Sequence, residues 1–207
     1  MSANIQSLSF GSQDGNQTLD TIWGRRSIGR LVEPAPNQSE LTALLEAGSI
    51  APDHDRLRPF RFIILSGDSL DAFGSILAER LTARLALAGM SPTEGQLQKE
   101  RTKLRRAPLV IVVAAKIDTS SRIPEIEQFA TAAAAAENIL LAATSMGYGS
   151  MWRTGDISYD EKIKQEFGLS STDHIVGWLY IGTRTDSSLP VAVQVPDITD
   201  LASHWTP

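Results

Sequence analysis

An α/β or α+β sandwich, folded as one domain, is the fold class that this 207-residue chain predicts. Three observations carry it. Helical stripes alternate with a few short apolar runs rich in β-branched residues, the pattern of helices packed on a sheet. One run, Pro108 to Ala115, contains no polar side chain and reads as a strand covered on both faces. Pro124 to Met146 is long, alanine-rich and apolar almost all round, so it belongs in a core or at a subunit interface.

The elements follow in order. Leu19, Ile22 and Trp23 form a short helical stripe after Thr18, which can cap it. Pro34 and Pro36 break the chain. Asn37 and Glu40 have capping-box spacing ahead of Leu41, Leu44, Leu45 and Gly48 on one helical face, and Pro52 ends that helix. Phe60 to Leu65 reads as a strand. Leu70 to Ala88 is helical, with Phe73, Leu77, Leu81 and Leu85 on one face. Ser91-Pro92-Thr93-Glu94 offers a cap, a first-turn proline and a capping Glu for a helix running to about Arg105. After the strand at Pro108 to Ala115 comes the alanine-rich helix, then a capping box from Ser158 to Glu161 opening a helix to Phe167. Ile175 to Ile181 is a strand, and Val191 to Val195 alternates like an arm that packs on a partner chain.

Composition narrows the function. Apolar residues are 42% and charged residues 21%, as in ordinary globular proteins. Cysteine is absent, which excludes a disulfide framework, a cysteine zinc site, an iron–sulfur cluster and a thiol nucleophile, and fits a reducing compartment such as the cytoplasm. The net charge of −5 argues against nucleic acid or an anionic membrane as a partner. Met1 to Gln17 is polar and lacks the basic start and apolar core of a signal peptide, so residues 1–17 read as a loose tail and 18–207 as the domain. Phe129 to Met146 is the most apolar stretch, but Thr131, Glu137 and Asn138 within it favour a buried helix over a membrane span.

Three segments can carry chemistry. Arg25, Arg26 and Ser27, with Arg30 nearby, supply guanidinium forks and a hydroxyl that match phosphate oxygens; the alternative is a solvated basic turn. Ala51-Pro52-Asp53-His54, followed by Arg58-Pro59-Phe60, makes a stiff loop in which His54 either meets a ligand or caps a carbonyl. Gly147 to Gly155 combines glycines with Trp152, Arg153 and Thr154, either a platform for a flat ligand or a helix C-cap with a buried Trp. It lacks the third glycine of a dinucleotide fingerprint and follows a helix. The chain has no G-x-S-x-G, P-loop or H-E-x-x-H motif, and Glu125 and Glu127 are two apart and do not face each other. Cofactor chemistry is therefore favoured over a side-chain nucleophile or a metal.

Taken in order, these segments resemble the nitroreductase family of FMN-dependent oxidoreductases, most of all its YdjA-like NAD(P)H nitroreductase branch. The resemblance runs from about Leu19 to Pro196. It rests on Arg25-Arg26-Ser27 with Arg30, Glu33, Pro34 and Pro36, on Ala51-Pro52-Asp53-His54 with Pro59 and Phe60, and on Arg106-Ala107-Pro108-Leu109. Gly147 and Gly149 with Trp152-Arg153-Thr154-Gly155, and Val176-Gly177 with Leu179, Tyr180, Gly182 and Thr183, complete it. The resemblance implies an α+β fold, a three-layer α/β/α sandwich with a mixed central sheet, and an intertwined homodimer. It implies FMN at the dimer interface, with Arg25, Arg26 and Ser27 on its phosphate and ribityl chain, His54 reaching it from the partner subunit, and Trp152, Arg153 and Thr154 lining the flavin. No catalytic side chain and no metal ligand is implied, since the flavin carries the chemistry. NADH or NADPH would donate a hydride and a small electron-poor acceptor, a nitroaromatic or a quinone, would receive it in ping-pong order. The alternatives are other flavin chemistry on the same fold, such as dehalogenation or flavin fragmentation, and a flavin-storage protein. Where many members of the family carry a basic residue two after the Ser, this chain has Gly29; Arg184 is a candidate to supply that charge.

Overall fold

A strand that is dry along its whole length organises the molecule. All seven residues of β2 (Leu109–Ala115) are buried. It pairs antiparallel with β1 (Phe60–Ser66) on one side and β4 (His174–Gly182) on the other, and β3 (Gly149–Arg153) closes the sheet on the far edge of β4, giving the order β1-β2-β4-β3. The computed structural model describes residues 17–185 and 196–206. The sheet expected to be mixed is antiparallel in these ladders, and its parallel pairing is a single bridge from Ser27 to Ser150.

Because side chains alternate along a strand, β2 feeds two cores. Val110, Val112 and Ala114 pack with Leu70, Phe73 and Leu77 of α3 (Asp68–Leu87) and Ile163 of α6 (Glu161–Glu166). Leu109, Ile111, Val113 and Ala115 pack with Ala132, Ala136, Ile139 and Leu140 of α5 (Glu125–Ser145) and Leu44 of α2 (Gln38–Ser49). Helices thus cover both faces, the three-layer sandwich expected. Opposite the Val113–Ala114 step of β2, a β-bulge in β4 leaves Val176 without a register partner and puts Val176 and Gly177 successively toward the α5 side, before Trp178 turns to the α3 side.

Local capping differs from expectation in places. The Asn37 box is present: its Oδ1 accepts from the Ser39 and Glu40 amides, and Glu40 Oε2 accepts from the Asn37 amide at 2.8 Å. Helix α4 (Glu94–Arg101) is capped by Thr93 with Gln96, not by Ser91 with Glu94, because Gln96 is the residue that can return a side-chain acceptor to the Thr93 amide. It stops at Arg101, and Lys103–Arg106 form a separate 3-10 turn. Asp160, not Ser158, caps α6; Ser158 is buried instead and accepts a hydrogen bond from Trp178 Nε1 at 3.1 Å. Helix α1 (Gln17–Gly24) already includes Thr18, so that residue is not its cap. The tail at 1–16 and the arm at 191–195 lie outside the described residues.

At the crossing of α3 and α4, a Cβ on Gly74 would sit 2.0 Å from the carbonyl oxygen of Arg101, a backbone atom that cannot yield. Gly74→Ala should therefore lower stability by about 2 kcal/mol or more in urea unfolding. Burial pushes the Tyr180 phenol up to about 12, against the opposing pull of Arg153 and Arg106. The unfolded chain releases that proton near the ordinary value of 10, so stability falls as pH rises between about 10 and about 12. Ultraviolet titration should show a late phenolate step that disappears in Tyr180→Phe.

Candidate functional site

The Arg25-Arg26-Ser27 segment leaves α1 and runs beside the edge strand. The Ser27–Ser150 bridge and the bond from Ile28 N to Ser150 O (2.9 Å) fix it against β3. Arg25 Nε lies 3.4 Å from Glu137 Oε1 on α5. Arg26 Nη1 donates to its own segment, to the carbonyls of Trp23 and Arg25, which leaves its buried Nε without a partner.

The stretch from Gly147 to Gly155, read as a platform or a cap, contains both a cap and a strand. Gly147, at φ +85°, closes α5, and β3 begins two residues later. Once β3 is a strand, alternation sorts its side chains. Ser150 and Trp152 face α5, whereas Met151 and Arg153 face the α3 side. The Trp152 indole packs against Gly177 of β4 and donates through Nε1 to Val176 O at 3.2 Å. Gly177 makes this possible, because a Cβ there would fall 2.0 Å from that nitrogen. The bulge and the glycine together form the bed of the indole.

Arg184, just beyond β4, returns to the same edge. Its Nη2 donates to Tyr148 O at 3.3 Å, while its buried Nε has no partner. Tyr148 is held in turn by its hydroxyl, which donates to Glu40 Oε2 at 2.8 Å and whose pKa is raised chiefly by that bond. Ser150 Oγ is also buried without a partner. Arg26 Nε, Arg184 Nε and Ser150 Oγ are thus three polar atoms left unanswered along one sheet edge, in a class of group that is rarely left so.

His54 lies elsewhere. Its Nδ1 is 2.8 Å from Glu127 Oε2 in the first turn of α5, ten residues and about 15 Å of helix from the Glu137 that meets Arg25. Its side chain is 54% exposed. The loop around it is stiff. Asp53 Oδ2 accepts from the Arg58 amide at 2.7 Å, and Asp55 pairs with Arg122, which holds the Asp55 carboxyl below the usual range. Asp55, Arg56 and Arg58 all adopt positive φ, a strained state for side-chain-bearing residues that is retained only where the surroundings impose it.

Arg153 and Thr154 line a cavity of about 170 Å³ on the α3 side of the sheet with Arg84, Lys103, Arg106 and Tyr180. Arg153 Nη2 also stands 3.6 Å from where a Cβ on Gly29 would be, an ordinary contact distance that puts the guanidinium beside the Arg25–Ser27 segment. Within one chain, then, the structure brings Arg25, Arg26, Ser27, Trp152 and Arg184 to one edge, turns the side chain of Arg153 away from the indole, and leaves His54 apart. Ser150 and Glu137 were not singled out in the sequence. For Ser150 the signal was its alternation with Trp152, which flanking glycines hid. Among the described residues no group of three His, Asp or Glu is placed to hold a metal ion, and no helix is long and apolar enough to cross a membrane.

The chain matches the model of the nitroreductase family over residues 22–183. It is 33% identical over 187 residues to the Escherichia coli protein named "Putative NAD(P)H nitroreductase YdjA", covering 90% of this chain and 98% of that one. Among solved structures, the nitroreductase-like family protein from Bacillus cereus superposes with a TM-score of 0.75 at 23% identity, covering 95% of this chain and all of the other. A Desulfovibrio desulfuricans protein described as a "putative nitroreductase in complex with fmn" superposes with a TM-score of 0.68 at 23% identity, over 93% of this chain and 99% of that one. With a fold of this kind and a family match spanning most of its length, the chain belongs to the nitroreductase family.

Proposed function

We propose that this protein is an FMN-dependent oxidoreductase that takes a hydride from NADH or NADPH and passes it, in ping-pong order, to an electron-poor acceptor such as a nitroaromatic or a quinone. The observation that carries the reading is the row of unanswered polar atoms on the sheet edge: Arg26 Nε, Arg184 Nε and Ser150 Oγ. Two guanidinium groups and a hydroxyl with spare donors fit a phosphate monoester and its polyol chain, so the residues present suit FMN. The family membership and the FMN in the D. desulfuricans relative support the same cofactor.

Each residue then has a task. Arg25, oriented by Glu137, and Arg26 and Arg184 would hold the phosphate, with Ser27 and Ser150 beside them. Trp152, pinned over Gly177, gives a rigid flat wall, and Arg153 at the end of that strand, with Thr154 next to it, would line the flavin. When bound, the flavin supplies the reversible hydride acceptor. The protein supplies position rather than acid–base groups.

The active unit proposed is a homodimer. Helix α1 has no buried residue, and Leu19, Ile22 and Trp23 are between 38% and 45% exposed. Ile50 and Ile126 are more than 70% exposed on either side of the His54 loop. Exposed apolar side chains on α1 and beside the His54 loop are the kind of surface a second copy would cover. In such a dimer the exposed His54 serves the partner's flavin. Cytoplasmic work is proposed from the lack of cysteine.

Purified protein should bind FMN as a dimer, and its yellow band should bleach under anaerobic NADH or NADPH and return on adding a nitroaromatic or quinone. Flavin that binds but stays oxidised with both nucleotides would overturn the reductase reading. Arg25→Ala and Arg184→Ala should each weaken FMN binding by about ten- to a hundred-fold. Unchanged flavin retention in both would remove the phosphate assignment.

A further inference from the structure

The 170 Å³ cavity on the α3 side has a charge that its surroundings do not balance. Four cations line it, Arg84, Lys103, Arg106 and Arg153, against two carboxylates, Glu100 and Asp156. The carboxylates are already engaged. Glu100 pairs with Lys103, and Asp156 with Arg84 at 3.5 Å. That leaves Arg106 and Arg153. Neither side chain has a hydrogen-bond or ion-pair partner among the described residues, and Arg153 Nε is buried without one. Two unanswered guanidinium groups thus share one concave wall, in a protein whose overall charge is −5.

We propose that this cavity is a binding site for a small doubly charged oxyanion: orthophosphate, or the phosphate end of a phosphomonoester. Charge sets the valence, since two uncompensated positive groups call for two negative charges. Shape favours phosphate, whose oxygens match the planar forks of two arginines. Size allows it, for the cavity has roughly ten times the room that one water needs. The floor helps as well. Arg153 stands 5.9 Å over the Tyr180 ring, which fixes its direction, and Tyr180 keeps its proton up to about 12 and so remains a donor. The site is separate from the proposed flavin edge. Met151, Trp178 and Tyr180 belong to the core on the α3 side, whereas Trp152 packs on the α5 side. The two sites meet at Arg153, which lines the cavity and stands against Gly29 beside the Arg25-Arg26-Ser27 segment.

The test is calorimetric titration of FMN-saturated protein at about pH 8 and fixed chloride, with inorganic phosphate and with glycerol 3-phosphate as separate probes. Saturation with FMN keeps its own phosphate site filled; if the protein takes up no flavin, the titration is run on the protein as purified with Arg184→Ala alongside. One equivalent of anion should bind, and Arg106→Gln should weaken it about ten- to a hundred-fold, with partial recovery in Arg106→Lys. Circular dichroism of both variants excludes misfolding as the cause. Tighter binding of inorganic phosphate identifies a site for the free ion, and tighter binding of glycerol 3-phosphate a site for an esterified head. No uptake of either probe, or affinity unchanged in a folded Arg106→Gln, overturns the proposal, as does binding lost in Arg184→Ala but kept in Arg106→Gln.

Discussion

Complete desolvation of β2 is the constraint on which the rest depends. A strand with no wet face must have its amides and carbonyls paired on both sides and its side chains covered on both faces. The first demand brings β1 and β4 alongside it. The second brings α3 and α6 to one face and α2 and α5 to the other. Strand β3 is then left as an edge, with one row of backbone groups open. The Arg25–Ser27 segment takes up part of that row through Ser27 and Ile28. The candidate site is therefore built where the sheet runs out of strands, and the basic segment also protects an exposed edge.

Much of the fold was legible because its signals are local. The β-branched run at 109–115, the Asn37–Glu40 box and the alanine-rich helix each contain their own physical reason, and each stands where the sequence put it. The misreadings share a different cause. Ser91 and Ser158 were plausible caps, but a cap is chosen by which residue three positions on can return a bond and by what burial demands of the hydroxyl. Strand β3 was hidden because it is short, glycine-flanked and starts directly after a helix.

The candidate site was legible in composition and not in direction. Arg25, Arg26, Ser27, Trp152 and Arg184 gather on one edge, though local chemistry offered each segment a second reading. That Arg153 and Trp152 part company is a consequence of strand pleat, which is invisible until the segment is known to be a strand. The separation of His54 is set by tertiary distance along α5, which no local pattern encodes. The cavity beside Tyr180 draws its walls from four separate stretches of chain, so its charge balance emerges only in three dimensions.

Helix α5 carries Glu127 against His54 and Glu137 against Arg25, which makes it a ruler with two marks. Each residue of an α-helix advances the chain by about 1.5 Å and turns it by about 100°. Gain or loss of one residue between the marks would swing one carboxylate away from its partner while the other stayed put. The ten-residue interval in α5 therefore keeps both pairs together only at this count of residues, whichever letters fill it.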